Sequence, residues 1–337
     1  MRKPDWHHYD VHGVLAISSN KSILSPFFRT RKLRRRPDLV VLLGDLRADQ
    51  LEPSSDNDAL RVIYRPRGLL RSEVLLEGLA SGGQTRLFIV NPAHRLLGRL
   101  SRKVRALIRT VFYIKLLQKW HALLHSACVE KDGAGLLMVA PPETGKTLTT
   151  LKLVLGHGFR FMSDDMTIVG PDATALANPG TLTIHPYHLR ACGIKLRGRE
   201  LLDMRVRHLL RGLPYVVFFV KEFKLSFRRL FSEDQLARRA KVAVTCFLEA
   251  GPRYIGELDA DEALRRLMAA GRMHVSVYES GLIQRYAYQN PEFDLEGLMD
   301  RLRQLCRRLV ESTSCWHVRC PDKRFSEFIV ERVWPTI

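Results

Sequence analysis

The sequence predicts an α/β protein that begins with a small N-terminal domain rich in β-strands. Three observations support this prediction. The chain of 337 residues is long enough for about two domains, and 46% of its residues are apolar, which suffices to bury a core. Residues 1–90 contain short apolar runs separated by turn residues, and a strand–loop–helix pattern follows further along the chain.

Residues 1–90 are predicted to form the small β-rich domain. Their strand-like runs are apolar or alternate between apolar and polar residues, and clusters of Gly, Pro, Ser and Asp bound them. The predicted strands are 11–17, 39–43, 60–64, 73–76 and 85–90.

A basic amphipathic helix is predicted to connect the two domains over residues 91–124. Asn91 suits an N-cap and Pro92 suits the first helical position. Apolar residues then recur at spacings of three and four, and arginine or lysine, as at Arg99, occupies much of the remainder. Two interpretations stay open: a connecting helix packed on the next domain, or a helix that docks to an anionic membrane surface or partner.

The motif that carries chemistry lies at a strand–loop–helix junction. Two strand-like runs joined by a turn at residues 131–133 precede the loop APPETGKT, residues 140–147, and a helix is predicted from Leu148. The N–H groups of such a loop surround a polyphosphate, Lys146 reaches its outer phosphates, and the hydroxyl of Thr147 coordinates Mg²⁺. ATP and Mg²⁺ are the predicted cofactors, and the predicted nucleotide-binding residues are Pro142, Glu143, Thr144, Gly145, Lys146, Thr147 and Leu148.

The loop departs from the usual phosphate-loop pattern at its first position, where Ala140 replaces glycine. Alanine adopts the required backbone angles less readily, and Pro141 and Pro142 remove two amide donors while stiffening the loop. These features predict a reduced affinity for nucleotide. They also support a second interpretation, a non-catalytic nucleotide sensor or partner-docking module.

Two adjacent aspartates, Asp164 and Asp165, follow the next predicted strand. In a phosphoryl-transfer site one carboxylate can hold Mg²⁺ and a second can take the proton of an attacking hydroxyl. Side chains of adjacent residues in an extended segment project in opposite directions, so only one of the pair can face the acceptor. The pair therefore predicts a catalytic site, against the plainer interpretation of two acidic residues at a turn.

Three segments together resemble a known family. They are LHSACV at residues 124–129, the loop APPETGKT, and GFRFMSDD at residues 158–165. In this succession they resemble the HPr kinase/phosphorylase-related proteins. The resemblance is strong over residues 123–169 and extends weakly to the C-terminus, where WHVRCPD at residues 316–322 is similar to the ending of the family's shorter relatives. It implies a P-loop domain over residues 125–337.

The resemblance implies a fold shared with phosphoenolpyruvate carboxykinase, in which a strand hairpin precedes the phosphate loop inside a mixed sheet. It also implies an ATP-dependent kinase that phosphorylates a serine hydroxyl on a protein or peptide. The leading functional hypothesis is broader, an ATP- and Mg²⁺-dependent kinase that acts on a serine or threonine hydroxyl of a protein, peptide or small molecule. By matched position, Lys146 and Thr147 would be the phosphate and Mg²⁺ ligands, Asp164 the general base and Asp165 a metal ligand. His125 matches the family's histidine near the γ-phosphate.

One family signature, Glu-Ile-Arg-Gly, has no counterpart downstream, where this chain has TIHPYHLR at residues 183–190. A second metal contact is therefore left without a residue, and the reverse reaction, phosphorolysis of phosphoserine, is not implied. Arg190 and Arg197 are candidates for an anion contact, with plain surface positions as the alternative.

The charge balance bears on the partners. Lysine and arginine number 54 against 35 aspartates and glutamates, a net charge of +19 that favours phosphate-rich partners or anionic surfaces. Binding to nucleic acid or to a membrane surface is thus a third class of function. No specific nucleic-acid partner is expected, because the chain has no interleaved aromatic and basic motif of the RNA-binding kind. A homo-oligomer is left open.

The composition also bears on the compartment. The six cysteines lack metal-ligand spacing and are predicted to be reduced thiols, so no structural metal is expected. No stretch approaches 18 uncharged apolar residues, and no secretory leader is indicated. The predicted location is the cytoplasm, with peripheral association at the membrane left open.

Overall fold

The structure, a computed structural model, describes residues 6–44, 59–64, 72–80, 82–90, 102–212, 220–272 and 280–336. These residues form a mixed α/β fold that contains both parallel and antiparallel strand pairs. The chain divides into two compact units, one of residues 1–122 with 274–304 and the other of residues 123–273 with 305–337. This division differs from the boundaries predicted from the sequence, because residues 274–304 belong with the N-terminal unit.

The N-terminal unit is built on a seven-stranded sheet. Its strands lie in the order β3-β1-β2-β4-β7-β6-β5, with β2 and β7 each parallel to β4 and the other pairs antiparallel. The predicted β-rich character of this part is therefore present. The strands are β1 (His7–Val11), β2 (Leu15–Ser19), β3 (Arg29–Thr30), β4 (Leu39–Gly44), β5 (Ala59–Tyr64), β6 (Ser72–Glu77) and β7 (Thr85–Val90).

One predicted strand, at residues 11–17, is wrong because a turn interrupts it. His12 and Gly13 have φ angles of 53° and 73°, the left-handed conformation that closes a tight turn between β1 and β2. The carboxylate of Asp10 accepts a hydrogen bond from Gly13 N at 2.6 Å and stabilises this turn.

The connecting helix ends earlier than predicted. Helix α1 spans Arg102–Gln118, and the predicted N-cap at Asn91 lies outside the described residues. Trp120 has a φ angle of 55°, which the helix cannot continue through, and Ala122–Leu124 forms a strand, so the extension to residue 124 is wrong.

The C-terminal half of α1, residues 110–117, is buried. Lys115 lies within this half and is fully buried. Its ammonium donates to the carbonyls of Gly83 at 2.7 Å and Gly82 at 3.4 Å. Burial lowers the pKa of Lys115 to about 8.

The second unit is built on a nine-stranded mixed sheet, with a separate two-stranded pair of β14 and β15. The long strand β16 is central, because β10 pairs with one of its edges while β13 and β18 share the other. The strands are β8 (Ala122–Leu124), β9 (Ser126–Lys131), β10 (Ala134–Val139), β11 (Arg160–Ser163), β12 (Thr167–Val169), β13 (Thr174–Leu176), β14 (Thr181–Thr183), β15 (Lys224–Ser226), β16 (Arg239–Ala250), β17 (Tyr254–Glu257) and β18 (Ser314–Cys320).

The predicted hairpin before the loop is confirmed. Strands β9 and β10 pair antiparallel with Lys131 opposite Ala134. Asp132 and Gly133 form the turn with φ angles of 55° and 88°, the pair of left-handed residues that a tight hairpin requires.

The remaining helices are α2 (Lys146–Gly156), α3 (Pro186–Cys192), α4 (Gly198–Arg211), α5 (Phe227–Leu230), α6 (Ala260–Arg272), α7 (Gly281–Gln289), α8 (Leu295–Glu311) and α9 (Phe325–Phe328). Helix α7 shows why residues 274–304 belong to the N-terminal unit: the buried Tyr286 hydroxyl accepts hydrogen bonds from Leu79 N at 3.0 Å and Ala80 N at 3.1 Å. All six cysteines are free thiols. No helix of the described residues is long and apolar enough to cross a membrane.

We expect the Lys115→Met variant to unfold at a higher temperature than the wild-type protein at pH 7. A lowered pKa means that the folded state holds this proton less tightly than the unfolded state, so the buried charge costs stability below pH 8. The difference from the ordinary pKa corresponds to at most about 3 kcal/mol, reduced by the lost hydrogen bonds.

Thermal melting at pH 7 and pH 10 measures this effect. Wild-type stability should rise relative to the variant between about pH 8 and 10.4 as Lys115 loses its proton. The exposed Lys21→Met serves as the control and should show no such difference. A gap between wild type and Lys115→Met that stays the same at both pH values would contradict the expectation.

Candidate active site

The predicted site residues meet at one edge of the second sheet. Strands β10, β11, β16 and β18 run in the same direction, so their carboxyl ends share this edge. The loop of residues 140–145 follows β10, and the aspartate pair follows β11. His125 directly precedes β9, which is antiparallel to β10 and therefore begins at the same edge. Ligands of α/β sheets bind at such carboxyl-terminal edges.

The loop turns sharply before helix α2 begins at Lys146, two residues earlier than predicted. Glu143 and Gly145 have φ angles of 62° and 123°, and Gly145 is the N-cap residue. The buried Thr144 hydroxyl donates to the carbonyl of Pro141 at 3.0 Å and closes the loop. No described side chain caps the helix, so its first-turn N–H groups remain available to an anion.

The ammonium of Lys146 is buried at the base of this loop. It donates to the carbonyls of Ala140 at 2.5 Å and Pro141 at 3.3 Å, and to His125 Nε2 at 3.0 Å. Burial lowers the pKa of Lys146 to about 8, and the carboxylates of Asp165 and Asp164 oppose that shift.

His125 joins the loop lysine to the acid pair. Its ring is buried, and Nδ1 lies 3.0 Å from the carbonyl oxygen and 3.3 Å from Oδ1 of Asp165. Lys146 donates to Nε2, so Nε2 is the acceptor nitrogen of the ring. The ring proton is therefore assigned to Nδ1, which donates to Asp165. The structure thus brings His125 to the site in a bridging position.

Asp164 contacts the other end of the loop. Its Oδ2 accepts a hydrogen bond from the Thr147 hydroxyl at 2.9 Å, whereas its Oδ1 is buried without a hydrogen-bond partner among the described atoms. Burial raises the pKa of Asp164 to about 6, although the Thr147 hydrogen bond lowers it. Asp165 is exposed and faces His125, so the two carboxylates do point to different partners.

The oxygen atoms of this edge suit Mg²⁺. Among the described residues no group of three or more His, Cys, Asp or Glu could hold a metal ion by itself. Mg²⁺ is typically bound through one or two carboxylates together with substrate phosphates. The hydroxyl of Thr147 and the exposed carboxylate of Asp165 are oxygen donors of that kind, whereas the unpartnered Oδ1 of Asp164 is left to accept a proton.

The segment of residues 183–190 lies beside the loop, where Glu143 acts on Tyr187 and Lys323 on His188. Burial and, to a smaller extent, the charges of His185 and Lys323 lower the pKa of His188 to about 4. The His188 Nε2 atom is buried without a partner in the described part of the chain. Burial raises the pKa of Tyr187, and the negative charge of Glu143 also contributes to this increase. The rings of His185 and Tyr187 are parallel, with centroids 5.6 Å apart.

The other predicted loop residues differ in exposure. Pro142 and Glu143 are exposed, whereas Leu148 is buried on the inner face of α2. Arg190 and Arg197 are both exposed, and no described contact brings either of them to the loop.

Two lysines that sequence reasoning missed lie near the site. Lys323 Nζ donates to the carbonyl of Glu143 at 2.9 Å. Lys224, on β15, lowers the pKa of Asp164, which burial raises. Lys323 follows the segment 316–322, and parallel pairing of its strand would have indicated its place at the loop edge. No sequence signal indicates Lys224.

Comparisons with known proteins find structural neighbours but no relative in sequence. The chain matches no protein-family profile and no curated protein. It is similar to the structure of the Hpr(Ser) kinase/phosphatase from Coxiella burnetii over 40% of its own length and 76% of that chain, with 12% identity and a TM-score of 0.26. At that score the likeness carries no argument about activity.

We expect the Asp164→Asn variant to be more stable than the wild-type protein at pH 7. Its raised pKa means that the folded state favours the protonated carboxyl, so the charged form costs stability above about pH 6. Asparagine keeps an acceptor for Thr147 without the charge, and the expected gain is about 1–3 kcal/mol.

Denaturant unfolding at pH 7 and near pH 4 measures this gain, which should shrink at the lower pH because wild-type Asp164 is then protonated when folded. Asp165→Asn is the matched control and should change stability by no more than about 0.5 kcal/mol, because Asp165 is exposed. A loss of stability in Asp164→Asn at pH 7 would contradict the inferred burial cost.

Proposed function

We propose that the chain is an ATP- and Mg²⁺-dependent phosphotransferase that phosphorylates a Ser or Thr hydroxyl on a protein, peptide or small molecule. The observation that carries this proposal is the contact between Thr147 and Asp164, which joins the end of the phosphate loop to a carboxylate with a second, unpartnered oxygen. A phosphoryl-transfer site needs a phosphate cradle and a proton acceptor side by side, and in this proposal the loop would be the cradle and Asp164 the acceptor.

The positions of the site residues suggest a different role for each of them. The N–H groups of the loop and the ammonium of Lys146 would hold the phosphates, as the resemblance of the loop implies. His125 supports both Lys146 and Asp165, so it is a positioning residue in this proposal. Mg²⁺, held by Thr147 and a carboxylate, would supply charge neutralisation at the phosphates.

The transfer step moves one proton and one phosphoryl group. The acceptor hydroxyl oxygen bonds to the γ-phosphorus as the bond from that phosphorus to the β–γ bridging oxygen breaks, and ADP leaves. The hydroxyl proton passes to Oδ1 of Asp164, whose pKa of about 6 suits a general base near neutral pH. Asp165 is assigned to the metal, as in the sequence-based expectation.

A nucleotide sensor is the second candidate, and the loop itself favours it. Pro141 and Pro142 contribute no N–H donors, and both are exposed where a nucleotide would approach. A sensor would bind ATP without transferring its γ-phosphate to any acceptor.

We expect Lys146→Met to lose ATP binding or γ-phosphate transfer by about a hundredfold or more, because it removes the buried cation of the loop. Calorimetry of Mg²⁺-ATP binding and mass spectrometry of Ser- and Thr-containing peptides and small hydroxyl compounds after incubation with γ-labelled ATP measure the two effects. Lys152→Met on the same helix is the control and should stay within about twofold. Unchanged binding and transfer in Lys146→Met would overturn the proposal, and binding without transfer in the wild type would favour the sensor.

We expect the two aspartates to separate binding from transfer. Asp164→Asn should keep Mg²⁺-ATP binding and lose transfer by about 10²- to 10⁴-fold, the range for loss of a general base. Asp165→Asn should weaken the metal–nucleotide complex itself. Calorimetry and single-turnover kinetics on both variants decide the assignment: the opposite pattern would exchange the two roles, and no effect in either variant would exclude the pair from the site.

A further inference from the structure

A lysine from the far end of the chain lies across the phosphate loop. Lys323 is in the turn after β18, and its Nζ donates to the carbonyl of Glu143 at 2.9 Å. The aliphatic part of the same side chain lies over Gly145: a Cβ built on Gly145 would lie only 3.2–3.4 Å from carbons of Lys323. Lys323 therefore contacts two positions of the six-residue loop.

The backbone of Lys323 occupies a conformation that a lysine rarely adopts. Its φ angle is 59°, in the left-handed region that glycine occupies at much lower cost. The turn has its own support, because the carboxylate of Asp322 accepts from Cys320 Sγ at 2.7 Å and pairs with Arg324 at 3.1 Å. Glycine would suit this turn better, so what lysine adds at position 323 is its side chain.

The charges around the loop indicate a role for the side chain of Lys323. Glu143, Asp164 and Asp165 place three carboxylates around the loop and the acid pair, against two ammonium groups other than that of Lys323, Lys146 in the loop and Lys224 near Asp164. This local balance opposes the approach of a polyphosphate. Lys323 brings a second ammonium to the loop, and its resting partner is a neutral carbonyl, a weaker acceptor than a phosphate oxygen.

We propose that Lys323 is a second phosphate-binding cation, which holds the phosphate groups of a nucleoside triphosphate together with Lys146. This inference rests on the proposed function, because it concerns the same loop and the same nucleotide. The flexible, unbranched lysine side chain allows its ammonium to move from the carbonyl of Glu143 to a phosphate oxygen while its backbone stays in place.

The test measures Mg²⁺-ATP, tripolyphosphate and AMP binding by calorimetry for the full chain and four variants. Lys323→Met should weaken ATP and tripolyphosphate binding by about tenfold to a hundredfold, the effect of a lost charged hydrogen bond, and change AMP binding by no more than about twofold. Lys323→Arg should restore most of the affinity. Arg324→Met, a neighbouring cation already paired with Asp322, should stay within about twofold.

The Lys323→Gly variant separates the loss of the ammonium group from effects on the stability of the fold. It relieves the left-handed backbone, so its melting temperature should not fall, yet it should lose polyphosphate affinity as Lys323→Met does. If ATP affinity in Lys323→Met stays within twofold, or falls equally for ATP and AMP, the inference is overturned. Lys323-dependent polyphosphate binding without transfer to any acceptor would refute the phosphotransferase while supporting this inference. Phosphoryl transfer that is unchanged in Lys323→Met would support the phosphotransferase and refute this inference. A wild-type protein that binds neither ATP nor tripolyphosphate would overturn both.

Discussion

The buried ammonium of Lys146 is the group around which the rest of the site is arranged. An isolated ammonium held out of water would cost several kcal/mol, so it needs acceptors on more than one side. The carbonyls of Ala140 and Pro141 and the ring of His125 provide them at 2.5–3.3 Å. Because two of these acceptors are backbone atoms, the lysine fixes the path of the loop as the loop fixes the lysine.

The position of His125 follows from the register of one hairpin. The left-handed turn at Asp132 and Gly133 pairs Ser126 with Val139, so the residue before β9 lies at the start of the loop that leaves β10. A shift of one residue would send every side chain of β9 to the opposite face and remove the acceptor on Lys146. The tight turn thus determines the bridge from His125 to the acid pair, although it lies at the other end of the two strands.

Local signals in the sequence were sufficient for the parts of the fold that local residues determine. The Asp-Gly turn, the strand–loop–helix junction and the position of Asp164 and Asp165 at the end of a strand are all legible from neighbouring residues. The prediction of one strand over residues 11–17 was wrong because apolar residues stand on both sides of His12 and Gly13, and the positive φ angles of those two residues have no periodic signature.

Long-range pairing explains the rest. Lys323 and Glu143 are 180 residues apart and meet only because β18 runs parallel to β16 and β16 to β10. Residues 274–304 join the N-terminal unit through contacts such as that of Tyr286 with Leu79, which no local pattern indicates.

The charge of the site differs from that of the whole chain, and the two act over different distances. The chain carries a net +19, which attracts polyanions from solution, but at physiological salt this attraction decays over about 8 Å. Near the loop the carboxylates of Glu143, Asp164 and Asp165 are matched in number by the ammonium groups of Lys146, Lys224 and Lys323. In the proposed function the aspartate pair would repel a bare polyphosphate at contact, whereas a polyphosphate carrying a divalent cation would bring the charge that these carboxylates require. The net positive charge of the chain would then favour the encounter, and the aspartate pair would select for the metal-bound form of the nucleotide.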